Sequence, residues 1–149
     1  MSVTAIDAVL SAVLASLRAQ PPIAGGRVYE DGDIDELPET VDTALVVGLE
    51  SAQPREIVLS TAPLQWTTVV RVECFARRSG RRGAVLPATE LHAQAHQRLM
   101  SDPTLGGVAG GLELVRLAVD RELAATRAAV LVAFYAIEHR STADTLLPA

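Results

Sequence analysis

Lysine is absent from the 149 residues, so every basic charge apart from the three histidines is arginine. We read this as a coding bias toward GC-rich codons rather than as function. It still excludes a phosphate-binding P-loop, which needs a Lys before its Ser or Thr. Cysteine occurs once, as Cys74. That excludes an internal disulfide and a cysteine-rich zinc site, and it suits a reducing compartment. Aromatic residues make up only 3% of the chain, so its core must be built from Val, Leu, Ile and Ala. No apolar run reaches the roughly 18 residues of a membrane span. The first twenty residues carry Asp7 and no basic residue before Arg18, so they lack the charged start of a secretory signal. The net charge of −5 argues against a general nucleic-acid binder.

What is present is apolar content of 49%, enough for a real core in one domain of ordinary size. The expectation is a soluble, intracellular protein with one domain over residues 1–140 and a flexible tail over 141–149. Residues 4–19 read as a helix, because Ile6, Val9, Leu10, Val13, Leu14 and Leu17 recur at helical spacing on one face. Thr4 and Asp7 form a plausible capping pair. Pro21 and Pro22 stop this helix, and Gly25 and Gly26 turn the chain into a short strand over 27–30. Residues 30–42 hold seven acidic residues and no basic one, the composition of a solvated loop.

Strands are expected over 43–49, 56–60 and 65–77. The last is the clearest, since Trp66, Thr68, Val70, Val72, Cys74 and Ala76 alternate with Arg71, Glu73 and Arg77 at period two. A basic loop over 77–83 leads to a second helix from about Pro87 to Met100, with Ala88, Leu91, Ala95 and Leu99 as its apolar stripe. Strands over 112–119 and 128–140 follow, the second apolar enough to be central. The order predicts an α+β fold: an antiparallel or mixed β-sheet, its strands joined by short turns, with two α-helices packed on one face. An internal echo links Leu17, Pro21 and Ile23 with Leu99, Pro103 and Leu105; each set is followed by a glycine pair, displaced by one residue between the two. A faint duplication or two uses of the same turn chemistry would both produce it.

Few residues are candidates for chemistry. The segment GGVAGG, residues 106–111, lies between a helix and a strand, the wrong order for a nucleotide cradle, and reads as a helix-terminating turn. His92 and His96 are four apart and could share a metal, but Ala93 replaces the Glu of the zinc-protease motif and His139 is distant in sequence. Asp31, Asp33, Asp35 and Asp42 loosely follow calcium-loop spacing, yet Glu36 stands where Gly is required and Pro38 interrupts. Cys74 on an apolar strand face reads as inert packing. With no nucleophile elbow and no buried carboxylate pair evident, the reading is non-enzymatic. Arg77, Arg78, Arg81 and Arg82 form the one basic cluster. It suits a solvated connection, a nucleic-acid contact, or a subunit contact. In the last case it would meet Asp31, Asp33, Asp35 and Glu36 of a neighbouring copy, head to tail, as in a ring.

The arrangement as a whole resembles the tail terminator (minor tail protein U-like) family of long-tailed bacteriophages and related phage-like particles. The resemblance runs from the first helix to His139 and Arg140. It is carried by the glycine turn, strand, acidic Pro-containing loop and strand of "IAGGRVYEDGDIDELPETVDTALVV", by the Trp-led strand "PLQWTTVVRVECFAR", by the helix entering "RLMSDPTLGGV", and by a final strand ending "EHRS". It implies a homo-hexameric ring on the head-proximal end of a tail tube, stopping tube polymerisation and offering a surface for head joining. The implied partners are the tail tube protein and a head–tail connector or adaptor, with DNA at most passing through the lumen and no membrane. The resemblance implies no cofactor, no catalytic residue and no metal, and a place in the tail or neck of a particle assembled in the bacterial cytoplasm. Another neck or head-completion protein of such a particle is the alternative. The metal reading has a direct check: elemental analysis of the purified protein is expected to find no stoichiometric zinc or calcium, and either metal at one per chain would favour an enzyme or metal site.

Overall fold

The computed structural model describes residues 3–33, 38, 40–55, 63–77, 83–120, 128–142 and 145–149. Its elements are α1 (Ala5–Arg18), β1 (Val28–Glu30), β2 (Thr43–Pro54), β3 (Leu64–Arg77), α2 (Val85–Ser101), β4 (Gly111–Asp120) and β5 (Ala128–Ser141). They form the expected α+β fold: one sheet in the order β1-β2-β3-β5-β4, with both helices contributing to a single core on one face. The sheet is mixed. β1 runs parallel to β2, and the other neighbours are antiparallel. The parallel pair corrects the expectation of short turns throughout, because parallel neighbours need a connection of roughly a dozen residues or more. The acidic segment 31–42 is that connection.

β3 organises the sheet. Val70, Val72, Cys74 and Ala76 are fully buried under the helices, as the period-two pattern demands. Directly opposite them, β2 places Leu45 and Val47 against Cys74 and Val72. β5 places Tyr135, Ala133 and Leu131 against Val70, Val72 and Cys74. The α2 stripe of Ala88, Leu91, Ala95 and Leu99 is buried against this layer, joined by His92. On α1 the buried residues are Ala5, Val9, Val13, Leu14 and Leu17, while Ile6 and Leu10 are half-buried. Thr4 caps α1 as expected, its hydroxyl oxygen accepting from the Asp7 amide at 3.2 Å.

The end of β2 differs from the sequence expectation. β2 continues past Leu49 to Pro54, through a bulge between Leu49 and Ser51. Its polar second half looked like a loop because pairing with β3 continues there without burial of both faces. The strand expected over 56–60 lies outside the described residues. The described residues of the C-terminal segment make backbone hydrogen bonds among themselves and to the start of α1. Thr142 donates its amide to Leu147 at 2.8 Å, and Leu146 accepts from the Ala5 amide at 2.9 Å, satisfying one of the free donors at the start of α1.

The arginines bind backbone carbonyls. Arg18 donates twice to Val28 O, at 3.1 and 2.9 Å, fixing the end of α1 to β1. Arg27 donates to Thr43 O at 2.8 Å, fixing β1 to the start of β2. Arg98 of α2 reaches the far end of α1, donating to Ser16 O at 3.2 Å, Ala19 O at 2.6 Å and Pro21 O. A cation there satisfies unpaired carbonyls and faces the negative end of the helix dipole. Replacing it as Arg98→Met keeps most of the stem and removes the clamp. We expect a loss of roughly 1–2 kcal/mol in urea unfolding; unchanged stability would show that solvent satisfies these carbonyls equally well.

Candidate functional site

The sheet face away from the helices carries the charge. β3 sends Val69, Arg71, Glu73 and Phe75 to this side, and β5 sends Val130, Val132, Phe134 and Ala136. Phe75 is buried with Ala44 and Ala128 in a second small cluster, beside Tyr29, Val41 and Val130. Arg77 holds the cover over that end, donating to Val41 O at 2.9 Å and Pro38 O at 3.3 Å, with its guanidinium 5.1 Å from the Phe75 ring centre.

Arg71 stands in the middle of this face. Its guanidinium binds Asp31 and Glu50, each at 2.9 Å, with Glu73 at 3.7 Å. Three carboxylates around one cation leave a net negative node. Burial, only partly offset by Arg71, pushes the Glu73 carboxyl above its usual range, and Asp31, Asp120 and Glu50 push it further. Gly48 lies opposite Arg71 in the β2–β3 register. A Cβ at Gly48 would meet Asp31 side-chain atoms at 3.0 Å, so a larger residue there would make Asp31 shift by a few tenths of an ångström.

The sequence candidates therefore separate. Asp31 and Arg77 are engaged within their own chain, on different parts of one sheet face, and Asp33 is exposed. Asp35, Glu36, Arg78, Arg81 and Arg82 lie outside the described residues. The Arg71 node was missed because Asp31 and Glu50 are far in sequence from Arg71 and Glu73. The one signal available was a charged pair at alternate positions of the clearest strand.

At the glycine turn, Leu105, Gly106 and Gly107 have φ of 51°, 72° and 91°. The echo at Ala24, Gly25 and Gly26 has φ of 53°, 63° and 83°. The two turns match residue for residue, each closed by a bond from its last glycine amide to the carbonyl three residues back, Ile23 or Thr104. The apparent displacement of the glycine pairs disappears once Ala24 is set against Leu105. Three successive left-handed residues expose amides of the kind that bind anions. Here the anion is the chain's own Asp102, which accepts from the Gly106 amide at 2.8 Å and from Thr104 through its amide and its hydroxyl. The Thr104 hydroxyl bond, then the Gly106 amide, hold the Asp102 carboxyl below its usual range. Leu105 is thereby pressed into the core.

His92 and His96 converge on Tyr135, whose hydroxyl oxygen lies 2.9 Å from His92 Nε2 and 3.0 Å from His96 Nδ1. Among the described residues no group of three or more His, Cys, Asp or Glu could hold a metal ion. His139, distant in sequence, is on the same sheet face and bonds Thr68 at 2.6 Å instead. Cys74 is fully buried, and burial pushes its thiol up to about 12, the state of an inert packing residue. β4, at one edge of the sheet, carries three of the exposed apolar side chains among the described residues. A bulge at Val115 precedes Leu117 and Val119, and the three are 51%, 48% and 44% exposed.

No protein-family model matches the chain, and no curated protein does. Solved structures do match. A chain from the virion of a native gene transfer agent particle aligns with a TM-score of 0.61 at 18% identity, covering 89% of this chain and 95% of that one. At this identity the likeness establishes a shared fold. A chain from an extracellular contractile injection system, a sheath/tube terminator in its extended state, aligns over 97% of this chain and 59% of that one. Its TM-score of 0.39, at 11% identity, is too low to support an argument. No described helix is long and apolar enough to cross a membrane.

Two outcomes test this geometry. Arg71→Met leaves three carboxylates facing one another, so we expect a loss of about 1–2 kcal/mol at pH 7 that shrinks in high salt. A loss that is independent of salt would point to packing instead. Because the folded Asp102 is held below its usual range, its bonds are in place above about pH 4 and fail as the pH falls below it. The Gly106 amide resonance should titrate in that acid window, and in Asp102→Asn that titration should vanish.

Proposed function

We propose that the chain is a structural component of a phage-like tail, and specifically the tail terminator. Copies would form a ring on the head-proximal end of the tail tube, end its polymerisation and present the surface for head joining. The observation that carries the reading is a fold shared nearly end to end with a chain of a gene transfer agent virion. This is an argument from fold, and folds host many functions; the surface supplies further support. An edge strand with three exposed apolar side chains is a feature proteins cover by assembly. The sheet face away from the helices, with its acidic node, suits electrostatic contact or exclusion more than catalysis. A different neck or head-completion component of the same kind of particle is the second reading, supported by the same likeness.

For the ring, the charged loops supply a head-to-tail contact. Arg77 and Asp31 already hold their own subunit together, so the contact falls to Asp33, Asp35 and Glu36 on one copy and Arg78, Arg81 and Arg82 on the next. Reversing Arg78, Arg81 and Arg82 to Glu should impair assembly without unfolding the monomer, as read by sedimentation and circular dichroism. Normal assembly would discard this contact. The function itself is tested in particles. Electron microscopy should find one ring between tube and head adaptor, and loss of the gene should give overlong tails without heads. Tubes of normal length without attached heads would favour the second reading, and normal joined particles would refute both.

A further inference from the structure

Two imidazoles share one hydroxyl in the core. Tyr135 is 1% exposed and His92 is 7% exposed, so little water reaches the hydroxyl they share. Both ring nitrogens lie within 3.0 Å of the Tyr135 oxygen. A hydroxyl has one proton to give, and each neutral imidazole has one donor and one acceptor nitrogen. Closure therefore requires one histidine to donate to Tyr135 and the other to accept from it. A single added proton is compatible with this order, because the protonated ring takes the donor role. Two added protons are not. Both bridging nitrogens would then donate, the Tyr135 proton would lose its acceptor, and two cations would lie with ring centres 5.7 Å apart.

We propose that the His92–Tyr135–His96 node is an acid-sensitive latch, closed with no added proton or one and opened by the second, which releases α2 from the sheet. Among the described residues, the hydrogen bonds that define the node join two imidazoles and a phenol, with no carboxylate among them. From β3 the titratable side chain on this face is Cys74, which burial keeps protonated. From β5 it is His139, with its Nδ1 lacking a hydrogen-bond partner among the described residues. Arg71, Glu73 and Arg77 of β3, Glu138 and Arg140 of β5, and Glu113, Arg116 and Asp120 of β4 alternate to the other face. On α1, Asp7 caps the helix start and Arg18 binds Val28 O. On α2 itself, Glu90 is exposed, and Arg98 is committed to the α1 carbonyls.

The sign follows from the same geometry. Burial first, and His96 second, hold the His92 imidazole below its ordinary range. The released state thus binds more protons than the latched one, and release becomes more favourable as the pH falls through about 6.5. His139 is likewise held low by burial, so it is the competing source of acid sensitivity.

Amide hydrogen exchange between pH 7.5 and 5.5, expressed as protection factors, reads the latch directly. In the wild type the α2 amides from Leu91 to Leu99 should lose up to about tenfold protection per pH unit for each extra proton bound on release. β3 amides should keep theirs. His96→Gln retains a donor and an acceptor for Tyr135 but takes no proton, so the α2 step should shrink to what the burial of His92 alone contributes; His139→Gln should leave it unchanged. An α2 step of full size in His96→Gln, or one abolished by His139→Gln, would overturn the proposal. So would α2 and β3 opening together in the wild type. If His96→Gln fails to fold, the titration of the wild-type histidine ring resonances decides. The His92 ring should titrate below the ordinary imidazole range, and titration at its ordinary value would refute the latch.

Discussion

The antiparallel pairing of β3 with β2 on one side and β5 on the other is the constraint on which the other features depend. Its register puts Val70, Val72, Cys74 and Ala76 on the helix side, and sends Arg71, Glu73 and Phe75 to the opposite face. A slip of one residue would exchange those sets, burying charge under the helices and exposing the aliphatic row. The helices need that row, because the chain has few aromatics and must fill its core with small aliphatic side chains. The same register sets Gly48 opposite Arg71, which makes room for Asp31, and sets Tyr135 opposite Val70, beneath His92 and His96.

Polar groups join the pieces that this layer leaves separate. Arginine forks bind carbonyls at the ends of α1 and at the β1–β2 connection, where helix and strand termini leave acceptors unpaired. Where the backbone instead leaves donors, a carboxylate does the work: Asp102 fills the amide pocket of the left-handed turn. The absence of lysine, read from sequence as a coding bias, thus has a structural counterpart. A planar fork can bind several carbonyls at once, which a single ammonium does less well.

Much of this fold was legible in the sequence because its signals are periodic. The α2 stripe of Ala88, Leu91, Ala95 and Leu99 and the alternation from Thr68 to Ala76 are buried as written. The second half of β2 was not legible, since a strand paired on one edge and exposed on both faces carries no apolar alternation. The candidate surfaces were read less well than the core. Asp31 and Arg77 were expected at a subunit contact; each is engaged within its own chain, by Arg71 for Asp31 and by Val41 and Pro38 for Arg77, which come from other elements. The His92–His96 spacing suggested a metal; the third member of that group is Tyr135, some forty residues on and silent in any motif.

By itself the sequence determined the element types, the inward face of each helix and of β3, and the conversion of GGVAGG from a phosphate cradle to a turn. These follow from local periodicity and from the backbone freedom of glycine, and neither needs a partner in space. Only the tertiary structure decided the strand order, the parallel placement of β1, the exposure of the β4 edge and the meeting of two histidines on one hydroxyl. Those features depend on which distant segments face each other across the sheet and core, and pairings between distant segments leave no periodic trace along the chain.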